Sequence, residues 1–237
     1  MSWQQQEEWQ FPEELKKWGQ NPKQTAKLVL IGAAIVVLGW LALSSYYTVK
    51  ADERALVLRF GAVQGTSGPG LHLKLPFGID TVKKVAVKEV KREEFGFRTE
   101  KPGVQTVYRE DTPELLDEAR MLTGDLNILN LQWAVRYRVE DIKDYFINVR
   151  DPRATIRDVS EAVMRTVVGD SSVDEVLTID RERVQIDCED QMQTLLDDYG
   201  TGIHLVNVRL KDVSPPEAVK DAFNDVNKAR QRKETII

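Results

Sequence analysis

The pattern of hydrophobic and polar positions changes character several times along this chain, and each change predicts a different element. Residues 28–49, LVLIGAAIVVLGWLALSSYYTV, have no polar rhythm at all: twenty-two positions pass without a charged side chain. As a helix that run measures about 33 Å, close to the ~30 Å hydrocarbon core of a bilayer. It predicts a single N-terminal transmembrane helix that starts at Leu28, with Trp40, Tyr46 and Tyr47 gathered toward its far end at headgroup level. Gly32 and Gly39 lie seven apart on one face and offer a close helix contact. Ala42 and Ser44 fit a signal-peptide cleavage site, but the apolar run is longer than the ~7–15 residues of such signals and follows a mixed-charge head of 27 residues.

Period two comes next. ERALVLRFG reads as a strand turning at Gly61, GTSGPG as a loop, and LHLKLP as a second strand closed by Pro76. TVKKVAVKEVKREE, with Val82, Val85, Val87 and Val90 among lysines, predicts one long, partly exposed strand. Residues 101–120 loosen into a hairpin or loop. The strongest strand signal is in MLTGDLNILNLQWAVRYRVED, where Ile128, Leu131, Trp133, Val135, Tyr137 and Val139 alternate almost without a break with Gln132, Arg136 and Arg138.

Beyond Asp141 the period lengthens. Ile156, Val159, Val163 and Val167 stand at helical spacing behind a capping Asp151 and a Pro152 at the first helical position. A second helix runs over about 180–199, with Val184, Cys188, Met192 and Leu195 on its apolar face and Gly200 at its end. IHLVNVRLKDV returns to alternation as a final strand. Strands, then helices, then a strand predict an α+β fold.

The last segment opens on Ser214-Pro215-Pro216-Glu217, which reads as a capping box formed by Ser214 and Glu217. Val219, Ala222, Val226, Ala229, Lys233 and Ile236 then recur at three and four residues, a heptad seam with Lys233 as a polar intrusion. No stop signal precedes Ile237, so this helix is expected to continue as a coiled coil. The divisions that follow are a polar head (1–27), the membrane helix (28–49), a mainly β membrane-proximal subdomain (50–120), an α+β subdomain (121–213) and the start of the heptad helix (214–237).

Charge and side-chain chemistry narrow the function. The net charge is −5 with both signs interspersed, and no basic stripe of the nucleic-acid-binding kind is present. Cys188 is the single cysteine, so no intramolecular disulfide forms, and its place on an apolar helix face reads as a small buried hydrophobe. His72 and His204 are far apart and lack metal-ligand spacing, and no cofactor motif occurs: the glycines at 61, 65, 68 and 70 have no P-loop lysine. Gly169-Asp170-Ser171 echoes some serine hydrolases, yet it reads better as a helix end, with Ser172 capping the next turn. Asp187, Glu189, Asp190, Asp197 and Asp198 read as a solvated helix face. Lys16, Lys17, Lys23 and Lys27 before the span against Lys50, Arg54 and Arg59 after it place the head in the cytoplasm by a narrow margin.

Three stretches together carry a resemblance: GPGLHLKLP at 68–76, MLTGDLNILNLQWAVRYRV at 121–139, and PPEAVKDAFNDVNKAR at 215–230. They resemble the stomatin/prohibitin/flotillin/HflK family, also called SPFH or band 7, and within it the HflK branch, over about residues 28–237. The resemblance implies two small SPFH subdomains behind one membrane span in a bacterial inner membrane, with the bulk of the chain on the outer face. It further implies a scaffold rather than an enzyme, which self-associates and alternates with an HflC-like partner in a ring or cage and modulates an FtsH-like AAA membrane protease. A general stomatin-like organiser of other membrane proteins is the alternative, and a membrane-tethered hydrolase using Ser171 a distant third. The aromatic head is shorter than the Gly- and Pro-rich heads common in that branch.

Overall fold

The computed structural model describes residues 22–101, 103, 106–110, 112–222, 225 and 232. The first element, α1 (Pro22–Ser44), takes up most of the charge-free run. It ends where the Ser45 hydroxyl turns back to donate to the Leu41 carbonyl at 2.6 Å. The remainder of the run departs from expectation: Tyr46–Val49 is a strand, β1, not the end of a membrane helix. Two tyrosines, a threonine and a valine favour the pleated chain, and their alternate burial puts Tyr47 and Val49 inside. Lack of charge locates an apolar segment without choosing its backbone, so Tyr46 and Tyr47 belong to the folded domain. Side chains described without a break in α1 run over 26–41, and among the described residues no helix is long and apolar enough to cross a membrane.

Next come β2 (Glu53–Arg59), β3 (Ala62–Ser67), β4 (Gly70–Leu73) and β5 (Asp80–Ala86). β2 is the middle of an antiparallel sheet in the order β3-β2-β5, and β1 pairs with β4 as a separate ribbon. The period-two pattern of β2 serves two cores. Leu56 and Leu58, with Val85, join the main core, while Ala55, with Tyr47 and Val49, forms a small second cluster against Val57 and Val82. The expected GTSGPG loop is only partly a loop, because its first half is paired as β3, with a bulge opposite Val57/Leu58.

The expected long strand over 81–94 is in fact two. It breaks after β5, where the Val87 and Lys88 amides both donate to the Asp52 carbonyl, and resumes as β6 (Lys91–Phe95) in a different sheet. β7 (Arg98–Lys101) and β8 (Val107–Arg109) pair as a hairpin that begins just before the stretch read as a hairpin or loop. The helix α2 (Pro113–Ala119), not expected in that hairpin-or-loop stretch, follows.

β9 (Arg120–Leu122), β10 (Ile128–Val139) and β11 (Ile203–Ser214) complete the second sheet, ordered β11-β10-β6 with β9 on β10. Leu129, Leu131, Trp133, Val135, Tyr137 and Val139 are all buried, so Leu129 rather than the expected Ile128, which is exposed and out of phase with Leu131, starts the inner face; Trp133 stacks on its cross-strand partner Phe95 with ring centroids 4.6 Å apart. The short α3 (Ile142–Ile147) is capped by Asp141, which accepts from the Lys143 and Asp144 amides. Gly202 is obligatory beneath that cap: its φ is +64°, and a Cβ there would lie 2.2 Å from the Asp141 carbonyl oxygen.

Two 18-residue helices close the core. α4 (Pro152–Gly169) starts as predicted, with Asp151 accepting from the Arg153 and Ala154 amides. α5 (Arg181–Asp198) buries Val184, Cys188, Met192 and Leu196, so Leu196 rather than Leu195 completes its inner face. β11 is an edge strand, and α5 covers its free backbone groups. The Gln185 side chain accepts from the Leu210 amide while Arg181 donates to the Leu210 carbonyl; Gln193 donates to the Ile203 carbonyl and accepts from the Leu205 amide. The two expected subdomains meet inside these structures. β6 lies before the 120/121 division but pairs with β10 beyond it, and Leu56, Leu58 and Val85 share one hydrophobic cluster with the second sheet.

Candidate functional site

No catalytic constellation assembles among the described residues. The Ser171 hydroxyl donates to the Val167 carbonyl at 2.8 Å, as a residue closing α4 would. Ser172 and Glu175 make a reciprocal cap: the Ser172 amide and hydroxyl donate to the carboxylate and the Glu175 amide donates to the hydroxyl, which holds Glu175 below its ordinary pKa. His72 stacks on Tyr47 and bonds the Gly68 carbonyl, and His204 lies 3.8 Å from Glu140, so neither ring reaches Ser171 as a base. Cys188 is fully buried with its sulfur 3.6 Å from that of Met164, and burial pushes its thiol up to about 12, the state of an inert core residue. No group of three or more metal-ligating side chains occurs among the described residues.

What the fold does assemble is an apolar end. The chain leaves α1 beside Trp40 and enters β1 at Tyr46; the Lys74 amide donates to the Ser45 carbonyl, and the Phe60 amide to the Ile79 carbonyl. These bonds bring four segments together: the end of α1, the β2–β3 turn, the end of β4 and the loop over 74–79. Their large side chains point outward. Phe60 is 81% exposed, Leu73 82% and Phe77 70%, with Trp40, Tyr46, Val63 and Leu75 also exposed. The rings of Trp40 and Phe77 lie 6.1 Å apart, so the helix and the sheet present one apolar surface. Phe60 and Phe77 have φ of +49° and +63°, each just before a glycine that is also left-handed. An aromatic residue in that conformation costs about 1–2 kcal/mol, a strain of the kind that persists at functional sites.

An ion pair between buried Asp80 and half-exposed Arg59 fixes this end. Asp80, at the start of β5, takes Arg59 Nε at 2.9 Å and Nη2 at 3.2 Å and also accepts from the Leu75 amide at 2.8 Å. The guanidinium and then the amide hold its carboxyl below the ordinary aspartate value. Asp80 thereby ties β2, β5 and the aromatic loop together. Sequence reasoning missed Phe60, Leu73 and Phe77, although the Phe-Gly pairs at 60–61 and 77–78 were a usable signal: turn glycines normally have small polar neighbours.

The predicted helix seam is placed in part. Val219 and Ala222 are exposed and line, with Pro215, Pro216, Leu126 and Ile128, an apolar groove of about 690 Å³. Val226, Ala229, Lys233 and Ile236 lie outside the described residues. The Ser214/Glu217 capping box does not form. Ser214 ends β11 with its hydroxyl on Asp212, and Glu217 pairs with Lys220. Pro216 is extended at φ −54° and ψ 143°, so the first helical turn, Glu217–Val219, begins too late for the Ser214 side chain to reach its free amides. A Cβ added at Gly32 or Gly39 would meet nothing within 4 Å, so that helix face is open.

Comparison with known proteins adds a family. Residues 47–237 match the SPFH domain / Band 7 family. The chain is 38% identical over 205 residues to Protein HflK of Treponema pallidum, covering 86% of this chain and 61% of that protein. It is 31% identical over 214 residues to Protein HflK of Borreliella burgdorferi, with 90% and 67% covered. Against the Modulator of FtsH protease HflK of Escherichia coli K12 it is 32% identical over 219 residues, with 92% and 46% covered. The chain thus spans about half to two thirds of the length of these curated relatives.

Proposed function

Because the chain belongs to the SPFH domain / Band 7 family, we propose that it is a membrane scaffold of the HflK type, which assembles with an HflC-like partner into a ring or cage and modulates an FtsH-like AAA protease. The name of the Escherichia coli relative, a modulator of a protease and not a protease, supports regulation over catalysis. Ser171 and Cys188, both tied into the helical core, support it too.

The observation that carries the membrane part is the joined apolar surface of α1 and the turns at Phe60 and Phe77. In this reading the charge-free residues of α1 cross the bacterial inner membrane, the head lies in the cytoplasm, and the turns rest against the bilayer on the opposite side. The sequence from Leu28 to Ser44 supplies seventeen uncharged residues, about 26 Å of helix, at the short end of the range for a span. Lys27 is placed to extend its ammonium to the interface. The subdomain division at 120/121 is retained as a sequence boundary only, with β6 reaching across it.

Assembly is assigned to lateral domain contacts and to the seam at Val219, Val226 and Ala229. Purification in mild detergent tests the whole reading: an AAA protease and an HflC-like partner should co-purify in fixed ratio. Recovery with an unrelated membrane protein instead would favour the general organiser. The Val219→Asp/Val226→Asp double variant should reduce the assembly to small species on native gels, and an unchanged size would remove the seam from the account.

A further inference from the structure

The end that carries Phe60 and Phe77 is distinctive in its charged groups as well as in its exposed apolar side chains. Of the seven Lys or Arg and four Asp or Glu in residues 50–90, this end holds Arg59 and Lys74 against the single acid Asp80, while Lys50, Arg54 and Lys88 balance Asp52, Glu53 and Glu89 at the other end. Three of those four acids, Asp52, Glu53 and Glu89, are at the opposite end of the sheet. β2 runs from Glu53 to Arg59, about 20 Å at the rise of a strand, and the Val87 and Lys88 amides bond to Asp52 at the Glu53 end. The fourth, Asp80, is only 3% exposed and already holds Arg59 and the Leu75 amide.

The apolar end therefore shows cations without an exposed carboxylate. Arg59 remains 41% exposed after using two of its five N–H donors on Asp80. Lys74, whose backbone neighbour Leu75 is bonded to that same Asp80, makes no side-chain ion pair among the described residues. Cations beside exposed apolar side chains at one end of the sheet match one ligand: a lipid whose phosphate sits at the interface while its chains continue into the apolar layer.

We propose that Arg59 and Lys74, flanked by Phe60, Leu73 and Phe77, bind the phosphate headgroup of an anionic phospholipid, which makes the contact of this domain with the bilayer selective for lipid charge. The inference rests on the preceding reading that these turns face the bilayer. A surface built only to touch lipid tails needs no surplus of cations. A surface steered by an anionic leaflet needs solvent-accessible cations beside its apolar side chains with no exposed carboxylate among them, as Arg59 and Lys74 provide here.

The test places the full chain in nanodiscs and follows amide hydrogen exchange over residues 72–79. In discs containing phosphatidylglycerol, protection should exceed that in pure phosphatidylcholine discs by about fivefold per engaged cation, and the difference should vanish in about 0.5 M salt. Lys74→Ala should lose about fivefold of that protection and Lys74→Arg should keep it. Inorganic phosphate added to phosphatidylcholine discs should change nothing; if it reproduces the protection, the site takes free phosphate and the lipid assignment falls. Equal protection in both lipids would overturn charge recognition while leaving the bilayer contact intact. No protection in either disc relative to detergent would overturn the bilayer contact itself.

Discussion

The sheet around β2 and the sheet around β10 draw on the same residue types, aromatic and branched aliphatic, and place them in opposite ways. Around β10 the largest side chains, Trp133, Tyr137 and Phe95, are enclosed by α4 and α5. Around β2 the second cluster is Tyr47, Val49 and Ala55, while Phe60, Leu71, Leu73 and Phe77 stand in the open. The first arrangement maximises burial. The second forgoes it and adds backbone strain at Phe60 and Phe77, which makes sense for a surface whose apolar environment comes from outside the chain. Leu56, Leu58 and Val85 link the two: one face of the β2 sheet leans on the larger core, so the strained end is held by a body that does not depend on it.

Substitutions separate these roles, and the largest effect belongs to the enclosed sheet. Trp133→Ala should cost about 3–5 kcal/mol in urea unfolding followed by circular dichroism, as the loss of a buried ring stacked on Phe95. Glu93 comes next. Its carboxylate is buried between Arg153 at 2.9 Å and Arg157 at 3.5 Å, and Arg157 also pairs with Glu118. Glu93→Gln strands part of that charge and should cost about 2 kcal/mol, below the cost for a wholly enclosed pair because Arg153 is open to water.

In the proximal sheet the sign reverses. Phe77→Gly removes an aromatic from a left-handed position and should stabilise the isolated chain in detergent by about 1 kcal/mol, while weakening protection of 72–79 in nanodiscs. A loss of stability instead would mean that Phe77 is packing within the fold, and the contrast between the two sheets would fail.

Acid supplies the most local probe. The folded pKa of Asp80 is depressed, so its stabilising contribution is complete above the unfolded aspartate value near 4 and disappears as pH falls through the lower folded value. Amides of 74–79 should therefore lose protection on acidification earlier than those of β10, and Asp80→Asn should show that loss at neutral pH. Simultaneous loss in both segments would assign acid sensitivity to the whole domain.

Much of the distal unit is written in its periodicity. The cap at Asp151, the burial face of α4 and the alternation of β10 follow from spacing alone, because each segment is packed on one side and faces water on the other. The proximal region resists such reading for the complementary reason. Where an apolar side chain faces outward, periodicity reports the wrong environment, as at Leu71, Leu73 and Phe77. A run without charge also says nothing of where helix gives way to strand, which here happens at Ser45. The capping box at Ser214 and Glu217 failed through geometry: the spacing was correct, but two successive prolines keep the backbone extended across it.

The glutamines of α5 have a consequence beyond the packing of one subunit. β11 offers twelve residues of outer strand, long enough to recruit a strand from any copy held beside it. Gln193 plugs the Ile203 carbonyl and the Leu205 amide at its start, and Gln185, two helical turns away, the Leu210 amide, with side-chain amides that mimic a neighbouring backbone. A strand brought alongside this edge would meet backbone groups already taken, so the α5 side chains act as insulation against sheet-to-sheet fusion at those positions.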